Sequence, residues 1–281
     1  ALMRYTLRLL TTQQFQRAAS LITACETIRR NEPELGSIPI SIGLWVGNSA
    51  SPNRRDSSTP GYPGAKQLLD KLWIAPDRNK NPFIVLKCPW CGARMGPVMF
   101  KSNNSNSTSY EIKGYKRQRL ENQKYSVVFI CGDADCEFSN NDSRLPIYVI
   151  DEDIYDFPPS LIIGTVDKFA SIPFKSDCHS IFGIGSENSP PELIIQDELH
   201  LISGPLGSMV GMYETLVDGL CEKDGINPKI IASTATITRA REQIKALYNC
   251  DSEKVGLFPP PGLEENDSFF GKKSNDSLES R

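Results

Sequence analysis

No stretch of the 281 residues reads G-x-x-x-x-G-K-[ST], so the glycine-rich loop that cradles phosphates, and its lysine, are missing from this sequence. Alone, it is expected not to turn over a nucleoside triphosphate. No apolar run approaches the roughly 20 residues needed to cross a bilayer, which excludes a helical membrane span. No signal-peptide pattern opens the chain, and cytoplasm is the expected compartment. An excess of either charge is also missing: 31 Lys and Arg against 34 Asp and Glu leave a net charge of −3. There is thus no global basic signature of nucleic-acid binding, although a protein that grips a backbone through a few local contacts needs none. What remains, 39% hydrophobic and 23% charged, is the composition of a soluble globular protein. At this length one domain with a sizeable insertion is expected.

The most informative segment is Leu193-Ile194-Ile195-Gln196-Asp197-Glu198-Leu199-His200, an apolar strand ending in an acid pair and then a His. Nucleotide-driven motors present their Walker B carboxylates in this way. There the Asp, here Asp197, holds Mg²⁺ through water, and the Glu, here Glu198, orients or deprotonates the water attacking the γ-phosphate. The bland alternative is a strand that ends in a solvated acidic turn. The order D-E-x-H resembles the DEAH form of motif II in superfamily 2 helicases and translocases.

About one supersecondary unit downstream, Lys229-Ile230-Ile231-Ala232 reads as a buried strand running into Ser233-Thr234-Ala235-Thr236. It is similar to helicase motif III, whose small hydroxylated residues bridge to the acids of the neighbouring strand. A turn or a helix N-cap before residues 239–248 is the competing account. Upstream, Arg4-Tyr5-Thr6-Leu7-Arg8-Leu9-Leu10-Thr11-Thr12-Gln13 is similar to motif Ia, which opens a helix and touches the nucleic-acid backbone. A helix start supplies amide donors, and Arg8 a fork for phosphate. Leu161-Ile162-Ile163-Gly164-Thr165-Val166-Asp167-Lys168-Phe169 resembles the element in which a strand ends against the phosphodiester, with Thr165 and Lys168 as contacts. The elements stand in the order of a RecA-like domain.

Eight cysteines are present, and four form two close pairs, Cys88-Pro89-Trp90-Cys91-Gly92 and Cys131-Gly132-Asp133-Ala134-Asp135-Cys136. The first has the C-P-x-C-G shape of a zinc knuckle; the second is a looser C-x₄-C within the permitted spacing. Four thiolates around a structural Zn²⁺ would close a small ribbon lacking enough core of its own. Disulfides compete with this reading but are disfavoured in a cytosolic setting. Cys25, Cys178, Cys221 and Cys250 are expected as buried free thiols. Between the pairs, residues 101–109 are low-complexity and polar, expected as a flexible loop. Lys113, Lys116, Arg117, Arg119 and Lys124, interleaved with Tyr115 and Tyr125, suit either a nucleic-acid contact or the solvated face of a hairpin.

Taken together, Thr6-Leu7-Arg8-Leu9-Leu10-Thr11, Cys88-Pro89-Trp90-Cys91-Gly92, Ile163-Gly164-Thr165-Val166-Asp167-Lys168-Phe169, Asp197-Glu198-Leu199-His200 and Phe258-Pro259-Pro260-Pro261-Gly262 resemble the helicase subunit of the DISARM anti-phage defence systems. The resemblance spans nearly the whole chain. It implies an ATP-dependent helicase or translocase, using ATP with Mg²⁺ and acting on nucleic acid, DNA more than RNA, with partner subunits of a defence complex. His200, Ser233, Thr234, Ala235 and Thr236 would couple the γ-phosphate state to contacts at Thr6, Arg8, Gln13, Thr165 and Lys168. A non-catalytic nucleic-acid-binding or scaffold module on a degenerate RecA-like fold is the alternative, and a non-motor nucleotidase is another.

The expected fold is α/β, a RecA-like P-loop NTPase with a three-layer parallel sheet lacking its Walker A strand and loop, and with an inserted β-rich zinc-ribbon-like subdomain. The expected divisions are 1–82 and 146–250 for the two parts of the RecA-like domain, 83–145 for the zinc insertion, and 251–281 for a linker toward an absent second RecA-like domain. Within them, 12–30, 65–72 and 203–221 are expected as helices and 38–46 as a strand, with a long surface loop over 47–64. Asp151-Glu152-Asp153, with no His or Cys beside it, is expected as a solvated turn.

Overall fold

The computed structural model describes residues 1–57, 61–101, 108–186, 188–235 and 240–258. In chain order the elements are β1 (Leu2–Tyr5), α1 (Arg8–Asn31), β2 (Ile42–Trp45), α2 (Ala65–Ile74), β3 (Gly96–Lys101), β4 (Thr108–Lys113), β5 (Tyr115–Arg119) and β6 (Tyr125–Phe129). They continue through β7 (Ile147–Tyr148), α3 (Asp151–Asp156), β8 (Leu161–Thr165), α4 (Val166–Phe169), β9 (Leu193–Gln196), α5 (Gly204–Cys221), β10 (Lys229–Ala232) and α6 (Ala240–Tyr248).

Six strands pair in the order β10-β9-β1-β8-β2-β7, every pair parallel. Strands such as Leu-Ile-Ile-Gly-Thr and Leu-Ile-Ile-Gln read as apolar runs rather than alternations because helices cover both faces of a parallel sheet. On one face Phe15 and Ala19 of α1 meet Tyr5, Leu44 and Ile163; on the other, Val217 and Cys221 of α5 meet Leu2, Ile162 and Ile194. The expected α/β class is what the chain adopts.

Helix α1 starts at Arg8, four residues before its expected start, and ends at Asn31, just before Pro33, as the sequence suggests. Arg29 and Arg30 in its last turn suit the negative end of the helix dipole. Strand β2 is shorter than the expected 38–46, beginning after Pro39 with Ile42 N–H donating to the Pro146 carbonyl at 2.9 Å. The insertion holds two antiparallel hairpins, β3 with β4 and β5 with β6. Its apolar residues Met95, Val127 and Phe129 share one cluster with α1 and the sheet, so the core runs through both. Tyr115 is therefore no surface aromatic: it is wedged between Phe83 and Phe129, its hydroxyl donating to the Val85 carbonyl at 2.9 Å.

One expectation fails outright. Asp151-Glu152-Asp153 is not a solvated turn but the first turn of α3, with Asp151 and Asp153 buried. The cause is cationic partners distant in sequence. Lys168 Nζ donates to Asp151 at 2.6 Å, while Arg55 donates to Asp153 and to Asp156, each at 2.5 Å. Ser126 of β6 donates to Asp153 at 2.6 Å, and Lys124 donates to Asp156 at 3.0 Å, so the same helix ties the insertion to the sheet.

Candidate functional site

Strands β1, β8, β9 and β10 deliver their motif residues to one carboxyl edge, the side on which open α/β sheets bind ligands. Tyr5 pairs with Thr165 in register, so Thr6 follows at the same height; Asp197 and Ser233 stand one residue past β9 and β10. Backbone bonds lock the row. Asp197 N–H donates to the Arg4 carbonyl at 3.0 Å, Ser233 N–H to Gln196 at 2.9 Å, and Leu199 N–H to Ser233 at 2.9 Å.

The acid pair sits in a turn that requires an unusual backbone. Glu198 adopts the left-handed conformation, φ 51°, which a non-glycine residue takes up only at a cost that the surroundings must offset. Asp197 Oδ1 accepts the Glu198 amide at 2.9 Å and the Ser233 hydroxyl. His200 Nδ1 lies 3.3 Å from Glu198 Oε2 and 3.5 Å from the Ala235 amide nitrogen, midway between the acid pair and the Ser233 segment. The side chains of Glu198 and His200 are about a third exposed, 36% and 30%. Asp197, Glu198 and Ser233 thus form one hydrogen-bonded group; His200, which accepts from Ala235, stands beside the Glu198 carboxylate, and Thr234 lies in the same segment. Thr236 lies outside the described residues, as do 102–107 of the polar loop and 259–262 of the Pro-rich segment.

The expected nucleic-acid contacts are placed less uniformly. Arg8 is the first residue of α1, and Gln13 is exposed in its second turn. Thr6 and Thr165 turn their hydroxyls inward, where neither has a hydrogen-bond partner among the described residues. Lys168 departs from expectation: its amine is buried, bonded to Asp151 and to the Val46 carbonyl at 3.0 Å, instead of reaching outward. Burial pushes the Lys168 amine below its ordinary pKa against the opposing pull of Asp151, whose carboxyl burial pushes up.

The second candidate centre is the cysteine cluster. The Sγ atoms of Cys88, Cys91, Cys131 and Cys136 all lie within 4.8 Å of one another, with Cys88 to Cys136 at 3.9 Å and Cys91 to Cys131 at 3.4 Å. Tetrahedral Zn–S bonds of about 2.3 Å place sulfurs ~3.8 Å apart, so the cluster fits such an ion. All eight cysteines are free thiols. Gly92, at φ 78°, closes the first knuckle by donating to the Cys88 carbonyl at 2.9 Å. Burial pushes the Cys136 thiol up to about 11, so holding it as a thiolate calls for a cation in the cluster.

Several residues at the edge escape motif reading. Arg4, Gln196 and Glu214 are buried polar side chains, and Arg4 is ion-paired with Glu214. Arg4 and Gln196 interrupt apolar strands and Glu214 the apolar buried face of α5, which is the signal that could have found them. Arg55 and Asn53, by contrast, lie in a loop whose sequence gives no hint of their partners on α3 and α4.

No family model matches the chain. No helix among the described residues is long and apolar enough to cross a membrane. The chain is 24% identical to a solved chain of the DUF1998 helicase MrfA bound to DNA, covering 35% of this chain and 12% of that one with a TM-score of 0.30, too small an overlap to bear on the fold. It is also 34% identical over 308 aligned residues to DISARM protein DrmA of Bacillus paralicheniformis. It spans only 26% of that relative. Over 98% of its own length, the chain is DrmA-like.

Proposed function

We propose that this chain forms the Walker B side of an ATP-dependent nucleic-acid helicase or translocase, acting on DNA in anti-phage defence with partner subunits. The observation that carries the reading is the gathering of Asp197, Glu198, His200, Ser233 and Ala235 at the carboxyl edge, with Asp197 bonded to Ser233 and His200 to Ala235. Asp197 would hold Mg²⁺ through water, its Oδ1 being oriented by Ser233 and the Glu198 amide. Glu198, held outward by its left-handed backbone, would orient the attacking water. The Mg²⁺ would draw negative charge off the transferring phosphoryl group. His200 would pass the state of that group to the segment starting at Ser233. Thr6, Arg8 and Gln13 would face the backbone of the strand, while Thr165 and Lys168 shape the edge beneath it. Zn²⁺ in the Cys88, Cys91, Cys131 and Cys136 cluster would be structural.

A place for the phosphate loop is consistent with this reading. Among the described residues β10 pairs only with β9, and Ile231, half exposed, leaves that end of the sheet uncovered on one face. A further parallel strand followed by a helix would pair with the one and cover the other. The test is Glu198→Gln in the full-length protein. Nucleotide binding should persist while hydrolysis falls at least ~100-fold, the low end for a positioned general base. Unchanged turnover would remove Glu198 from the role.

A further inference from the structure

The insertion carries a charged face that its own structure leaves unmatched. Residues 86–95 form a short hairpin around the first cysteine pair: Cys88 N–H donates to the Ala93 carbonyl at 2.8 Å and Met95 N–H to the Leu86 carbonyl at 2.9 Å. Lys87 and Arg94, bridged between those two bonds, are therefore a narrow antiparallel pair, the kind whose side chains stand closest together. Two like charges set directly opposite each other destabilise a hairpin. Both residues are exposed, and neither makes an ion pair among the described residues, with the acids of the neighbouring Cys131–Cys136 loop or any others. Elsewhere in the insertion cations are matched: Lys113 with Glu111, Arg117 with Asp70, Lys124 with Asp156 and Arg144 with Glu121.

The cysteine cluster does not account for the pair. Successive strand residues point to opposite faces, so Lys87 and Arg94 stand on the side of the hairpin away from Cys88. In the turn between them Trp90 is 41% exposed yet held in place. Its ring centre lies 6.1 Å from that of Phe138 at an angle of 66°, and Phe138 is itself buried with the Arg30 guanidinium 5.3 Å from its centre. A fixed indole open to solvent is a stacking platform. Two cations and such an indole within residues 87–94 match the phosphates and a base of an unpaired strand.

We propose that Lys87, Trp90 and Arg94 form a binding site for single-stranded nucleic acid, with the cations on neighbouring phosphates and the indole on a base. A duplex keeps its bases stacked on one another and offers the indole none. An acidic peptide would satisfy the cations and leave the indole uncovered. The site is separate from Thr6, Arg8 and Gln13, which stand just before α1 or in its first turns, whereas Arg30, beside Phe138, is in its last turn. At 1.5 Å per residue, the 24 residues of α1 put about 36 Å between those ends. The knuckle would thus be a second hold on the strand, one helix length from the motor edge. It rests on the reading above for its ligand, nucleic acid, and not for hydrolysis.

Fluorescence anisotropy of a labelled oligothymidylate on the 281-residue chain reconstituted with Zn²⁺, without nucleotide, tests the site. Lys87→Ala with Arg94→Ala should weaken binding by more than about tenfold and flatten the slope of log affinity against log salt by about 1.4, the release expected for two single-strand phosphates. Trp90→Ala should weaken it about tenfold without changing that slope, and Trp90→Phe should recover most of the loss. Metal content and melting temperature should stay those of the wild type in every variant. Unchanged affinity or an unchanged salt slope in the double variant would overturn the proposal. Equal binding of duplex DNA, or equal displacement by polyglutamate, would overturn it too, since either marks a plain anion site. Should Trp90→Ala lose its metal, the charge pair, set away from the cysteines, decides alone. If Glu198→Gln leaves hydrolysis intact, the motor reading falls while the oligonucleotide result still judges the knuckle.

Discussion

Two strands of one sheet end in acid clusters, and the molecule treats them in opposite ways. After β7, Asp151, Asp153 and Asp156 receive Lys168, Arg55 and Lys124, and two of the three are buried. After β9, Asp197 receives a hydroxyl and an amide, and the His200 imidazole stands 3.3 Å from Glu198, whose side chain stays 36% exposed. The first cluster is closed by cations of its own chain and fastens the insertion to the core. The second has no Lys or Arg paired to it among the described residues, and on the proposed reading it would take a cation from outside. The four cysteines make a third case: a cluster to which no chain cation is paired among the described residues, and which could hold a metal ion. Availability of charge, rather than the number of acids, separates structure from site.

The largest effect should come from that third cluster. Cys131→Ser should abolish a metal content of one ion per chain and unfold the insertion, since structural zinc contributes on the order of 10 kcal/mol to small metal-dependent folds. Because Cys131 and Phe129 share a core with α1, the sheet should lose stability along with it. Elemental analysis with thermal melts checks both; a metal-free protein that melts like the wild type refutes the site. Next in size is the closed acid cluster. Arg55→Ala strands Asp153 without its charge partner in the interior and should cost about 3–5 kcal/mol in urea unfolding. Asp197→Asn, in the open cluster, should cost under ~1 kcal/mol. Comparable losses would mean that the two clusters are not different in kind.

How far the sequence showed this contrast depends on how far apart the partners lie. The α/β alternation, the strand before Asp197 and the Ser233 segment were legible because each is a local pattern of apolar period and punctuation. The cysteine pairs were legible because metal ligands come at fixed short spacings. The burial of Asp151 and Asp153 was not, because Arg55 stands 98 residues from Asp153 and only the fold brings them together. The burial of the Lys168 amine is hidden for the same reason: its position in the motif suggests a phosphate contact, while its partner Asp151 follows a different strand. Of the four scattered thiols expected to be free and buried, Cys178 and Cys221 are both, whereas Cys25 and Cys250 are free but only partly buried.

Glu26 supplies the smallest test and the intermediate case, a buried acid closed by cations that are local. Burial would raise its pKa, but bonds from Arg29, from the Ile40 amide at 2.8 Å and from Arg30 outweigh that and hold it at about 2. Arg29 and Arg30 lie three and four residues along the same helix, so this closure, unlike that of Asp153, could be read from spacing. The folded pKa is below the unfolded value of about 4.3, so the contribution is fully present above ~pH 4.3 and fades as pH falls toward 2. Glu26→Gln should therefore lower stability at neutral pH and flatten its dependence on pH across that window. Urea unfolding at a series of pH values measures the slope. A variant whose acid limb stays as steep as the wild type would show that the carboxylate, though enclosed, is not held in its charged form by the helix that carries it.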